Sequence, residues 1–293
     1  RFSFTPLAAA SIGQVHAATC SGGERLAIKV QYPGVRRSID SDVDNVATLL
    51  RLSGLLPRAL DLTSLLAEAK AQLHAEADYR QEGAHLERYR ARLADTPDFL
   101  LPALRVDLTT ENILAMRFID GQPVESVATA PQAERDRVAG LLFTLLFREI
   151  FAFRCVQTDP NFANYLYDPT SRRLALLDFG ATRQFDAGLI DAYRRLLLAG
   201  QRSDRQGLTE AAAEIAYFQA DIQPAHRDQV LDIFLTACEP LRHAGPYDFG
   251  RSDLARRMRD AGLRLGRDRD FWHTPPVDAI FLHRKIGGLY LLA

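Results

Sequence analysis

The chain of 293 residues is 47% hydrophobic and 25% charged, with 36 basic against 37 acidic residues and a net charge of −1. This composition suits a packed globular core and excludes a disordered chain or a dedicated nucleic-acid binder, which would carry a basic excess. The longest apolar stretch, residues 141–147, is too short to span a bilayer, and no signal-peptide pattern opens the sequence. The three cysteines, Cys20, Cys155 and Cys238, are scattered without CxxC spacing. They read as reduced thiols of a cytoplasmic protein rather than a disulfide frame or zinc site. Lysine is scarce: Lys29, Lys70 and Lys285 are the only three. The sequence begins at Arg1 without a methionine, which reads as a fragment or processed form.

In chain order, residues 12–32 predict a β-hairpin turning at Ser21-Gly22-Gly23. Residues 61–93 predict one long helix capped by Asp61, with apolar Leu62, Leu65, Leu66, Ala69 and Leu73 on one face. Residues 102–106 and 112–119 predict two further strands, the second ending at Asp120-Gly121. Residues 138–153 are apolar on nearly all sides, as in a buried helix. Residues 165–167 and 174–177 predict short strands around a turn at 168–173. Beyond Ala187 the pattern is helical, broken near Gln223-Pro224, Gly245-Pro246 and Pro275-Pro276. A strand-rich first 120 residues before a helical remainder predicts an α+β chain of two lobes, 1–121 and 122–293, hinged near Gly121.

Four motifs stand in one order. The first runs through Ala8, Ala9, Ala10, Ser11, Ile12, Gly13, Gln14 and Val15, placed before the first predicted strand. Small residues there let backbone N–H groups approach phosphate oxygens, although a plain tight turn has the same pattern. The second is Leu26-Ala27-Ile-Lys29-Val30: a lysine inside an apolar strand needs a partner for its charge unless it lies on an edge and snorkels to water. Lys29 follows Val15 at the spacing that separates a kinase glycine-rich loop from its strand lysine. The third, Asp159-Pro-Asn-Phe-Ala-Asn164, has the acid-to-amide spacing of a kinase catalytic loop, in which the acid faces the attacking hydroxyl and the amide oxygen holds Mg²⁺. The fourth is Asp178-Phe-Gly180 after an apolar strand, suited to a second Mg²⁺ ligand. A second copy, Asp248-Phe-Gly250, lacks both the strand and the upstream pair and reads as a turn. A site of this kind also needs an acid on a helix to fix the lysine. Glu76 continues the 62, 69 heptad series and is expected to be that acid. Glu82 points elsewhere on a continuous helix, and Asp78 and Glu82 share a face open to pairing with Arg80 or Arg88.

With Gln14-Val15-His16, Glu76-Ala-Asp78, Gln157-Thr-Asp-Pro-Asn-Phe-Ala-Asn164 and Leu176-Leu-Asp-Phe-Gly-Ala-Thr-Arg183, the chain resembles the UbiB family of atypical kinase-like proteins along essentially its whole length, down to Leu282-His-Arg-Lys-Ile-Gly-Gly288. Within the family, Thr158-Asp-Pro-Asn-Phe-Ala-Asn164 is similar to the mitochondrial coenzyme Q branch. The resemblance implies a bilobal protein-kinase-like fold, with a small β-rich N-lobe and a larger helical C-lobe. It also implies binding of ATP or ADP with Mg²⁺ and a role in ubiquinone biosynthesis at a membrane surface. Carried over, Lys29 and Glu76 are the ion pair, Asp159 the catalytic acid or base, and Asn164 and Asp178 the metal ligands. Val15 and Ala27 would roof the adenine, and Met116, Arg117, Phe118 and Ile119 would form the hinge that reads its edge. The family's Lys-x-Gly-Gln extension has no counterpart in these residues, nor does the C-terminal membrane span of some relatives. Glu76 and Asp78 are therefore expected to lack a partner that the extension would supply.

Val156-Gln-Thr stands where protein kinases have His-Arg, and no Ala-Pro-Glu follows the short segment after Gly180, so there is little room to lay a peptide. The expected function is an ATPase or atypical kinase acting on a small or lipid-linked molecule, a nucleotide site with partners among quinone-biosynthesis enzymes. Two alternatives stand beside it: a nucleotide-gated scaffold with little turnover, favoured by a stiff alanine loop, and a phosphotransferase for a small soluble metabolite. The Arg-rich run 251–270 reads as a solvated helix face, or alternatively as a peripheral contact with anionic lipid at the inner membrane. The seven histidines show no metal-ligand spacing.

Overall fold

The computed structural model describes residues 1–53, 62–218, 222–267 and 275–292. They form two compact units. The first comprises Arg1–Leu49, Thr63–Thr144 and Gln157–Arg183; the second comprises Leu50–Leu62, Leu145–Val156 and Gln184–Ala293.

The first unit opens with strands β1 (Phe2–Ala10), β2 (Gly13–Thr19) and β3 (Arg25–Gln31). The alanines expected in a loop ahead of the first strand are themselves the end of β1. Ala8, Ala9 and Ala10 pair with Val15, Gln14 and Gly13, and the chain turns at Ser11-Ile12. Gly13 has a packing reason: a Cβ there would lie 2.1 Å from the carbonyl oxygen of Val30. The β2–β3 turn falls where Ser21-Gly22-Gly23 predicts it, with Gly23 supplying a φ of 82°. Helix α1 (Val35–Ser53), absent from the sequence reading, buries Ile39, Val43 and Ala47 at helical spacing.

The long helix expected over 61–93 is two helices, α2 (Leu62–Glu76) and α3 (Tyr79–Arg92); Asp61, its expected cap, lies outside the described residues. Asp78 is extended, with φ −115° and ψ 95°, and its side chain caps α3 by accepting the Arg80 N–H. Lys70 of α2 pairs with Asp44 of α1 at 2.7 Å, and His74 meets Asp40 at 3.2 Å.

Strands β4 (Phe99–Leu100), β5 (Ile113–Arg117) and β6 (Gln122–Pro123) follow, then α4 (Gln132–Phe147), β7 (Cys155–Gln157), β8 (Tyr165–Asp168), β9 (Arg173–Leu176) and β10 (Thr182–Gln184). The strand expected at 102–106 reduces to a single bridge, Leu104 to Met116, ahead of a 3₁₀ turn at Val106–Leu108. One four-stranded sheet has the order β1-β2-β3-β5 and the other β4-β9-β8-β6. Strand registers put Val15, Ala17, Ala27, Lys29, Leu114 and Met116 on one face of the first sheet, because side chains alternate with period two. The opposite face carries the apolar cluster Leu26, Ile28 and Ala115 with Ala18, Val30 and Ile113.

In the second unit a π-helical turn, Arg148–Phe153, ends in Arg154 at a left-handed φ of 49°. Helices α5 (Ala187–Gln201), α6 (Arg205–Glu214), α7 (Pro224–Ala237), α8 (Glu239–Arg242), α9 (Leu254–Arg267) and α10 (Val277–Leu292) complete it. Ile190, Leu196, Leu208, Leu231 and Leu282 are buried in its core. His283, ringed by Tyr193, Tyr217 and Phe234, is pushed down to about 4 by burial. The second Asp-Phe-Gly is a turn, the Arg251 N–H donating to Asp248 Oδ1 at 3.0 Å. Arginines of the 251–270 run sit against acids: Arg256 on Asp253, Arg257 on Asp253 and Glu239, Arg259 on Asp260. Among the described residues no helix is long and apolar enough to cross a membrane.

Candidate active site

Every site residue below lies in the first unit. Lys29 is held in the middle of β3 by pairing with Val15 on one side and Leu114 on the other, and it is 5% exposed. It is not an edge lysine, so its ammonium must be satisfied inside the protein. Nζ donates to Glu82 Oε1 and Oε2 at 2.9 and 3.0 Å and to Asp178 Oδ2 at 2.9 Å. Burial works against the ammonium, but the two carboxylates outweigh it and hold the lysine above its ordinary range. The ring of Tyr79, 5.3 Å from Nζ, closes the underside.

The helical acid is therefore Glu82 and not Glu76. The reason is the break at Ala77-Asp78, which restarts the helix and carries the first turn of α3, with Glu82 on it, toward β3. Glu82 is 2% exposed; burial pushes its carboxyl up to about 7, with Lys29 pulling it back. Its Oε1 also accepts the Phe179 N–H at 3.4 Å. Glu76 instead accepts from Gln72 Nε2 at 3.1 Å. Its carboxyl is raised by burial first and then by the negative charge of Asp178 and Asp159, Gln72 working the other way. Asp78 is a helix cap.

The segment 157–164 is built by short contacts. Thr158 sends both its N–H and its hydroxyl to the Ala181 carbonyl at 2.9 Å, tying residues 157–159 to those just past Gly180. Asn161 caps the turn by accepting the Ala163 N–H at 3.0 Å. Asn164, 9% exposed, donates Nδ2 to Asp159 Oδ2 at 3.2 Å, and its Oδ1 is an acceptor not used in that bond. Asp178 Oδ1 accepts the Gly180 N–H at 2.9 Å. Burial would raise Asp178, yet Lys29 and this N–H overcome it and hold the carboxyl below its usual range.

Lys29 thus stands between Glu82 and Asp178, and Glu76 feels the negative charge of Asp178 and Asp159. The carboxylate of Asp178 and the amide oxygen of Asn164 are hard donors suited to Mg²⁺, an ion held by one or two protein oxygens together with substrate phosphates. Among the described residues no group of three His, Cys, Asp or Glu side chains forms a metal cage.

The remaining expected residues line the first sheet. Val15 and Ala27 are on the Lys29 face and half-buried. Ala8 and Ala9 are exposed, whereas Ile12 and Gly13 are buried. Of the hinge residues, Met116 is 6% exposed. The Arg117 N–H is committed to the Ala103 carbonyl and the Phe118 N–H to that of Arg25, both at 2.8–2.9 Å. Arg25 also lies over the Phe118 ring and pairs with Asp120, so the segment is clamped. Sequence reasoning assigned no role to Tyr79, Thr158 or Gln31, and only the helix break brings Tyr79 beneath Lys29.

Residues 1–212 match the family profile described as the ABC1 atypical kinase-like domain. The chain is 37% identical over 295 residues to "Atypical kinase COQ8, mitochondrial" of Saccharomyces cerevisiae, covering 100% of this chain and 58% of that protein. It is 37% identical over 286 residues to "Atypical kinase COQ8B, mitochondrial" of Rattus norvegicus, covering 98% and 54%. The chain thus spans little more than half the length of these two relatives. Among solved structures, that of the Rv3197–erythromycin complex from Mycobacterium tuberculosis superposes with a TM-score of 0.72 at 22% identity, over 99% of this chain and 72% of the other, a likeness of fold. The profile match and the identity to these relatives along this chain agree: the chain belongs to the ABC1 atypical kinase-like family.

Proposed function

We propose that the site binds Mg²⁺ with ATP or ADP and transfers or hydrolyses the terminal phosphoryl group, in support of coenzyme Q biosynthesis. The observation that carries this reading is the contact of Lys29 Nζ with both Glu82 and Asp178, with Asn164 and Asp159 hydrogen-bonded to each other in the same unit. Glu82 holds Lys29, whose ammonium neutralises phosphate oxygens. Asp178 and Asn164 would hold Mg²⁺, which supplies charge neutralisation on the transferred group. Asp159, oriented by Asn164, accepts the proton of the attacking hydroxyl or water. Val15 and Ala27 contact the base, and Ile119 is the hinge residue whose amide is free of the two clamping bonds. The acceptor is a small or lipid-linked molecule, since residues 181–186 leave little backbone between Gly180 and α5 on which to lay a peptide.

The same proposal includes partners among quinone-biosynthesis enzymes and a cytoplasmic place peripheral to the inner membrane; the relatives' own names put those proteins in mitochondria. The pairing of Arg251, Arg256, Arg257 and Arg259 with neighbouring acids points away from these four as the lipid contact. A second reading, a nucleotide-gated scaffold with little turnover, is favoured by the alanine segment: Ala8, Ala9 and Ala10 pair with Val15, Gln14 and Gly13 in a strand ladder rather than forming a free loop.

Phosphate release and Mg²⁺-nucleotide titration on wild type, Asp159→Asn and Asp178→Asn test both. The enzyme reading expects Asp159→Asn to bind and not turn over, and Asp178→Asn to lose Mg²⁺-dependent binding. Equal turnover in all three refutes it, and binding without turnover in wild type selects the scaffold.

A further inference from the structure

Gln31 follows Lys29 by two residues on β3, shares its face of the sheet, and is 8% exposed. Burying an amide is costly unless each hydrogen finds an acceptor. Gln31 Nε2 donates to the Ala77 carbonyl at 2.8 Å and the Glu111 carbonyl at 3.2 Å, which uses both of its hydrogens.

One acceptor, Ala77, lies in the break between α2 and α3; the other, Glu111, lies just ahead of β5. In an unbroken helix the Gln81 N–H would bond the Ala77 carbonyl; here it bonds the Asp78 carbonyl at 2.9 Å, and Ala77 is satisfied by Gln31. The Tyr79 N–H, an orphan donor at the start of α3, goes to the Glu111 carbonyl at 3.0 Å. Gln31 and Tyr79 therefore meet on one carbonyl, Tyr79 lies beneath Lys29, and Glu82 is less than one turn further along α3. A leucine would fill the space; only a two-hydrogen donor of this length ties the break to β3.

We propose that Gln31 is a positioning residue: through the Ala77 and Glu111 carbonyls it fixes the first turn of α3 against β3 and so sets where Glu82 meets Lys29. Gln31 touches no reacting atom, and its effect on ligand binding rests on the nucleotide reading above.

The test is a double-mutant cycle on the full chain, read as Mg²⁺-ATP affinity by calorimetric titration. Gln31→Met keeps the unbranched shape without the donors, and Gln31→Glu keeps the shape with an acceptor set against two carbonyls. The expected loss for either is roughly fivefold to tenfold in affinity. In a Glu82→Gln background the same change costs less than about twofold, because the contact it positions has already been altered. Amide exchange at residues 79–82 quickens in the Gln31 variants while that of β8 and β9 does not. Equal losses in both backgrounds, unchanged affinity in a folded variant, or failure of both variants to fold overturns the proposal. If wild type does not bind Mg²⁺-ATP, the nucleotide reading falls and exchange decides the positioning claim: unchanged exchange at 79–82 refutes it, and selective quickening supports it.

Discussion

Replacing Lys29 by methionine and Glu82 by glutamine removes opposite ends of one ion pair, and the structure expects very unequal costs. Lys29 contacts two carboxylates, Glu82 at 2% and Asp178 at 33% side-chain exposure. Lys29→Met leaves both without a cation, the situation in which breaking a buried pair costs about 3–5 kcal/mol. Glu82→Gln leaves Lys29 on Asp178 at 2.9 Å, a neutral pair, with an amide oxygen still able to accept, so its cost should be about 1 kcal/mol or less. For a chain of this size the first change lowers the melting midpoint by on the order of 10 °C and the second by only about 2–4 °C. pH separates the two further. Because the Glu82 carboxyl is raised to about 7, above its unfolded value, its share of stability is present at low pH and lost as pH rises through that value. Wild type should therefore gain on Glu82→Gln as pH falls from 8 to 5, while the deficit of Lys29→Met shrinks as its stranded carboxylates take up protons. Urea unfolding at pH 5, 6, 7 and 8 measures all three proteins. Equal costs for the two substitutions at pH 8, or a pH-independent gap between wild type and Glu82→Gln, would refute the charge balance drawn here.

Two other substitutions probe the frame around the site. Gly13→Ala forces a Cβ to within 2.1 Å of the Val30 oxygen, so β2 must shift from β3; a loss of about 1–3 kcal/mol in urea unfolding is expected, and wild-type stability would refute the close approach. Glu134, which accepts from Arg137 at 2.8 Å and Tyr167 at 2.7 Å and also pairs with Arg172, is held down to about 2, Arg137 first among the causes. Its contribution is present above its unfolded value and lost as pH falls toward 2, so the stability gap to Glu134→Gln should be full at pH 7 and close in acid. A gap that persists unchanged at pH 2.5 in acid titration counts against it.

Much of this site is legible in the sequence because its elements are short and their motifs are bound to strands. Lys29 inside an apolar strand, the Asp159 and Asn164 pair and the strand before Asp178 all sit where period and spacing put them. The helical acid was misplaced for one physical reason. A continuous helix carries a fixed phase of 3.6 residues per turn, and Glu82, six residues past Glu76, then faces away. Two non-helical residues cancel that phase. The break itself was readable: Asp78-Tyr-Arg-Gln81 has the capping-box pattern, and Asp78 does accept the Arg80 N–H, with Gln81 Nε2 3.4 Å from its other oxygen. Helix α1 was missed because residues 35–53 mix aspartates and arginines with apolar residues buried only on one narrow stripe. The Gln31 contacts leave no sequence signal, since their acceptors are carbonyls that any residue carries.

The spacing from Asn164 to Asp178, which distinguishes the true Asp-Phe-Gly from its copy at 248, has a geometric origin in the β8–β9 hairpin. That hairpin pairs Tyr165 with Leu176, and the antiparallel register continues one step beyond the strands: the Leu177 N–H donates to the Asn164 carbonyl at 3.0 Å. Asn164 and Asp178 are thus held one residue off register at the open end of a two-stranded ladder, where both can turn toward one ion. Inserting or deleting a residue in the turn 168–173 would leave each side chain intact and move one relative to the other. The copy at 248 has no ladder, and its aspartate spends an oxygen on the Arg251 N–H of its own turn. What separates the two tripeptides is the hairpin that sets Asp178 beside Asn164.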